Sequence, residues 1–191
     1  AEPTTLSEMH LPFLNYIWAM AEKQPQWKQW AKLQGQDRGW TFFTENNIFG
    51  GVSAFKNNYV IANAWYATHL WQHYRYTLDR EYLKRVFPAM LSASQFWMDR
   101  LKLASDGTYE CPNEWSPEHG PESENGVAHA QQLVYDLFSN TLEAIDVLGD
   151  DAEVSATDLA TLKDRFSKLD KGLATETYTG SFGSAIPTGT K

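Results

Sequence analysis

Between Val127 and Leu148 the apolar residues Ala130, Leu133, Val134, Leu137, Phe138, Leu142, Ile145 and Leu148 return at three- and four-residue steps, and Gly149 follows. That spacing places them along one face of an α-helix, which glycine then ends. A stripe so continuous has to be covered by another element, so the chain is committed to packing helix against helix. The same rhythm recurs in Leu6, Met9, Phe13, Tyr16, Ile17 and Met20, with Ser7 as N-cap and Pro12 as a possible true start. It returns in Trp27, Trp30, Ala31 and Leu33, and in Val60, Ala64, Ala67, Leu70, Trp71 and Tyr74. Asp79 is placed to cap a segment carrying Tyr82, Leu83, Val86 and Phe87; Pro88 interrupts it, and the period resumes from Met90 to Leu103. Ser155 to Asp158 reads as a capping-box-like start for a last helix bearing Leu159, Leu162, Phe166 and Leu169. No stretch reads as a strand pair, and an all-α architecture of antiparallel helical hairpins, of toroid or solenoid type, is expected.

A chain of 191 residues is long enough for one domain with a substantial core. A net charge of -8 argues against a nucleic-acid backbone or an anionic membrane surface as partner, because neither would meet a basic face. With one cysteine, Cys111, neither an internal disulfide nor a cysteine metal cage can form. No apolar run approaches the ~20 residues that cross a bilayer. Eight tryptophans exceed what a helical core needs, so some are free to stack on sugar rings, although core is the commoner place for each. His69 and His73 stand four apart on one helical face and could share a metal only with a third ligand, which no neighbour in sequence supplies. A polar stripe accounts for them, and neither metal nor cofactor is expected.

Two connections are unusual. Gly35 to Asn58 has aromatics, glycines and amides without helical period; a loop of that length inside a compact domain commonly binds something, which makes Trp40, Glu45, Asn46 and Asn47 site candidates. The alternative is a polar loop bonded to its own backbone. The second, Cys111 to Pro121, sets Glu114, Trp115, Glu118 and His119 among three prolines and a glycine, and runs on through the polar residues 122–126. A proline-stiffened loop holds its side chains still, and a carboxyl desolvated there can keep a proton near neutrality. On the residues alone, a solvated acidic connection is the commoner reading of any one of these glutamates.

Ser116-Pro-Glu-His-Gly-Pro121 resembles glycoside hydrolase family 95, the inverting 1,2-α-L-fucosidases and related α-L-galactosidases. Three further stretches are similar: Ala1 to Glu8 looks like the segment after that family's asparagine-rich catalytic strand, Trp65 to Tyr74 like its tryptophan-leading helix, and Gln131 to Phe138 like the helix after its acid loop. The resemblance implies an (α/α)6 barrel of helical hairpins around a sugar cleft, with Glu118 as the general acid. It makes Trp40, Glu45, Asn46, Trp115 and His119 substrate-contacting candidates and leaves Glu114 and Glu122 as ordinary loop acids. Inversion needs a proton on the leaving oxygen and a water on the opposite face, the two carboxyls standing about 6.5–9.5 Å apart. The family's water-activating asparagines and aspartate fall outside these residues. Residues 1–171 are therefore expected to be a partial catalytic domain and 172–191 an irregular continuation, inactive in isolation. The expected partner is a fucosylated glycan, with self-association through uncovered helix faces and a periplasmic or extracellular bacterial setting. An α-L-galactosidase, a non-catalytic carbohydrate-binding module and a helical interaction domain are the alternatives.

Overall fold

The computed structural model describes residues 1–42, 45–49, 52–53, 59–116, 123–172, 177–179 and 185–187. Six α-helices carry it: α1 (Ser7–Trp18, prolonged by a π turn, Ala19–Lys23), α2 (Gln26–Leu33), α3 (Ala62–Thr77), α4 (Arg80–Arg100), α5 (Ala128–Leu148) and α6 (Ala156–Ser167). Two of the caps read from sequence, Asp79 and Ser155, are present. Asp79 accepts from Tyr82 N at 3.0 Å, and the Ser155 hydroxyl accepts from Asp158 N at 3.0 Å.

Three local expectations are corrected. Pro12 and Pro88 lie inside α1 and α4 instead of starting or interrupting them. Each removes one backbone bond, but both rings are on the solvent side while Phe87, Ala89 and Met90 around the second are buried, so packing outweighs the loss. Ser7 does not cap α1; its hydroxyl donates to Glu2 Oε2 at 2.5 Å. Strand pairs also occur, all antiparallel: β1 (Glu45–Asn46) with β2 (Val52–Ser53), β3 (Lys102–Leu103) with β4 (Tyr109–Glu110), and β5 (Thr177–Thr179) with β6 (Ala185–Pro187). They are short hairpins in connections, and the fold remains all-α.

The helices form two layers in the order of an (α/α)6 barrel. In one layer α3 and α5 lie side by side and parallel, for Tyr59 and Trp65 at the start of α3 meet His129 at the start of α5. Behind them α4 packs on both and on α6, while α1 runs antiparallel to α3, with His10 meeting His73 and His69, and Phe13 meeting His69 and Tyr66. Ser94 and Thr141 share a hydrogen bond of 2.9 Å across the buried α4–α5 seam. The core also holds Trp27, Trp97, Phe96 and Phe138, all fully buried.

Chain direction makes the two ends of these layers unequal. At one end the connections are tight: Leu78 in left-handed conformation (φ 54°) with Asp79, and the 3-10 turn Gly149–Asp151 leading to α6. At the other, the two long connections lead into α3 and α5. Gly39 (φ 82°) lets the first hug α4, where a Cβ would stand 2.5 Å from Phe96 Cβ and from the Ser92 carbonyl.

The N-terminal turn is fixed at the tight end. Glu2 is buried and accepts from Ser7, from His10 Nδ1 at 2.8 Å and from His73 Nδ1 at 2.6 Å. Burial alone would raise its pKa, but the bonds from Ser7, His73 and His10 hold it down at about 2. One face of α3 and α5 carries an open groove of about 520 Å³ lined by Thr68, Trp71, Gln72, Arg75, Tyr76, Asp136 and Asn140. Large apolar side chains that stand exposed include Met9, Leu33, Ile48 and Phe49. Among the described residues, no helix is long and apolar enough to cross a membrane.

Candidate active site

Everything that distinguishes the long-connection end is built around Arg100, the last residue of α4. Its guanidinium is largely buried over the Phe96 and Trp97 rings and donates to the carbonyls of Gln34 and Pro112, each at 3.3 Å. One cation thus holds the start of both connections. Burial pulls the Arg100 pKa below its usual value, against the opposing charge of Glu114.

Glu114 is the acid that faces Arg100, and it is not the ordinary loop acid expected. Its side chain is 0% exposed. Asn113 adopts a left-handed φ of 57°, and Glu114 lies in from there, with Oε2 accepting from Ile61 N at 3.2 Å on the threshold of α3. Oε1 makes no hydrogen bond and stands 3.8 Å from Arg100 Nη2, an ion pair too long to be a bond. Burial pushes this carboxyl up to about 8, outweighing Arg100 and the Ile61 and Val60 amides, so Glu114 is largely protonated at neutral pH. Its backbone pairs both ways with Glu124, at 2.8 and 3.0 Å, which closes the base of the loop between them. Gln131 on α5 secures the same base: Oε1 accepts from Cys111 N at 2.6 Å while Nε2 donates to the carbonyls of Tyr109 and Asp170.

Above this base stands an aromatic wall. Tyr59 OH and His129 Nε2 are 2.8 Å apart, with their rings stacked at 5.7 Å; Trp115 meets Tyr59 edge-on at 5.7 Å, and Trp65 meets His129 at 5.8 Å. Trp65 is 48% exposed and Trp115 only 6%, so Trp65 is the ring that faces outward. Burial lowers the His129 pKa and raises that of Tyr59, leaving a neutral imidazole and a phenol. Such a wall can bind a neutral polyol by stacking and hydrogen bonds.

Of the residues singled out from sequence, Glu118, His119 and Glu122 lie outside the described residues. Trp115 is at the wall. Trp40 is a core residue here: it is 0% exposed, stacked on Trp27 at 5.1 Å, and its Nε1 donates to the Ala89 carbonyl at 2.9 Å. Neither face is open to a sugar. Trp40→Ala is therefore expected to cost ~3–5 kcal/mol in urea unfolding, whereas Trp65→Ala should change stability by less than about 1 kcal/mol; equal losses would contradict the placement. Asn46 is occupied by two tyrosines, its Oδ1 accepting from Tyr16 at 2.5 Å and its Nδ2 donating to Tyr66 at 3.3 Å, and Asn47 lends its carbonyl to Tyr16. Glu45 is placed by its backbone, opposite Ser53 in β1–β2. Sequence reasoning missed Tyr59, Trp65, Arg100 and His129. The one available signal was the pairing of a tyrosine and a histidine with the starts of the two helices that follow the long connections.

The chain is 34% identical to "Probable alpha-fucosidase A" of Aspergillus niger over 196 residues, which covers 95% of this chain and 23% of that protein. It is 26% identical to "Alpha-L-fucosidase 2" of Arabidopsis thaliana over 161 residues, 77% of this chain and 19% of that protein. The chain thus spans less than a quarter of the length of these curated relatives. Residues 1–177 match the glycosyl hydrolase family 95 catalytic domain, and the chain belongs to that family.

Proposed function

We propose that this chain forms the part of an α-L-fucosidase catalytic domain that carries the general acid and one wall of the sugar cleft. The observation that carries the reading is the convergence of both long connections at the N-terminal ends of two parallel helices, held by the shared Arg100 and faced by Tyr59, Trp65 and His129. Family membership and two relatives named as fucosidases support it. Glu118, four residues beyond the anchored Glu114, delivers the proton to the departing glycosidic oxygen. A water activated by residues beyond this chain attacks the opposite face, so the anomeric centre inverts. Trp115, Trp65 and His119 contribute to the wall against which the sugar rests. The substrate is a glycan ending in α-L-fucose, with a 1,2 linkage, met outside the cytoplasm.

The test is proton NMR of the full-length enzyme acting on 2'-fucosyllactose. β-L-Fucose is expected as the first anomer released, with α-L-fucose growing in by mutarotation. First release of the α anomer would exclude inversion, and no release of fucose from any fucosylated oligosaccharide would overturn the assignment.

A further inference from the structure

At the tight end of the layers, remote from the aromatic wall, three side chains from three segments converge. Glu2 comes from the N-terminal 3-10 turn, His10 from the first turns of α1 and His73 from the last turns of α3. Both Nδ1 atoms address the same oxygen, Glu2 Oε1, and the three candidate donor atoms lie within 4.8 Å of one another. Glu2 is 3% exposed and His73 4%, while the His10 side chain keeps 13% of its surface open. His69 stands one helical turn before His73, its ring centroid 5.5 Å from that of His10, and its buried Nδ1 makes no hydrogen bond. His73 thus finds in Glu2 and His10, both from the N-terminal segment, the partner donors that its sequence neighbours do not supply.

We infer that Glu2, His10 and His73 bind one divalent cation of the zinc type, with a fourth position left open to water. Two imidazole nitrogens and a carboxylate are the donor set such borderline cations take, and hard cations such as Mg²⁺ or Ca²⁺ would want more oxygen. A tetrahedral zinc at about 2.0–2.1 Å from each donor spaces the donors about 3.4 Å apart. The present separations of 2.6 and 2.8 Å from Oε1 would therefore open by roughly 0.6–0.8 Å, within reach of side-chain rotation. The protons balance through tautomers. An imidazole that holds its proton on Nδ1 for Glu2 carries it on Nε2 when Nδ1 takes the metal, and the cation meets the single negative charge of Glu2. Because the ligands belong to three segments, the ion would fasten the N-terminal turn to α1 and α3 more firmly than hydrogen bonds do.

The test is a titration of the chelator-stripped chain with Co²⁺, followed by Zn²⁺. One equivalent of Co²⁺ should produce the intense visible band of a tetrahedral site, Zn²⁺ should displace it, and Zn²⁺ should raise Tm. His10→Gln, at the partly open position, should weaken Zn²⁺ binding by a hundredfold or more, and His73→Gln should abolish the band. His129→Gln should leave it intact. A wild-type chain that shows no band and no Zn²⁺-dependent rise in Tm, or a band that survives in both His10→Gln and His73→Gln, would overturn the site and leave a hydrogen-bonded anchor only.

Discussion

Glu118→Gln in the full-length enzyme is expected to lower kcat on 2'-fucosyllactose by about 10²–10⁴-fold, with KM little changed. The amide keeps the size and polarity of the acid but has no proton to give, so the loss appears where the glycosidic oxygen departs. A dinitrophenyl fucoside leaves without protonation, and its hydrolysis should fall at least tenfold less. An equal fall on both substrates would mean that Glu118 positions the sugar, and no fall on either would remove it from the mechanism. The contrast between leaving groups is needed because loss of activity alone would also follow from a disturbed loop.

Glu114 gives the second large effect, on stability. Truncation to alanine empties a fully buried site and leaves the Ile61 amide without its acceptor, at a cost of ~2–5 kcal/mol. Glu114→Gln keeps an acceptor for Ile61 N and should cost far less. The two variants also differ in pH dependence. The folded pKa of about 8 lies above the ordinary carboxyl value of 4.5, so between these values the folded chain holds a proton that the unfolded chain has lost. The contribution is full below about 4.5 and falls away as pH rises through 8, at up to about 1.4 kcal/mol per pH unit. Urea midpoints measured from pH 4 to 9 should show this decline in the wild-type chain and a flatter course in Glu114→Gln. Parallel curves would show that Glu114 ionises normally.

The helices were legible because each exposes its buried side as a periodic stripe, and Asp79 and Ser155 mark two beginnings in residues that can serve little else. Boundaries near Pro12 and Pro88 were misread for a physical reason. Proline's missing donor is a local penalty, whereas its neutralisation by packing depends on buried neighbours that sequence does not assign to a face. Two-residue strands such as Lys102–Leu103 have no room for alternation, so β3–β4 could be foreseen only as the Asp106–Gly107 turn. The two most interesting clusters were invisible because their members are far apart. Glu2 meets His73 only after α1 has folded back on α3, and Glu114 becomes a buried acid only when Arg100 and Ile61 close around it. Trp40 shows the converse. Tryptophan in an aperiodic stretch suits a cleft or a core equally, and the Ala89 carbonyl that decides between them belongs to another helix.

The inequality of the two ends has a consequence for how such a scaffold diversifies. The stacked helices derive their register from seams such as Ser94–Thr141 and from the tight turns, neither of which depends on the length of 34–61 or 101–127. Insertions and deletions can therefore accumulate between the anchored positions of those two stretches, such as Trp40 and Glu114, while the frame stays in register. Descendants of one ancestral barrel could in this way acquire new sugar preferences by loop exchange, and a library that varies these stretches while keeping Gly39, Trp40 and Glu114 would explore specificity without eroding the scaffold.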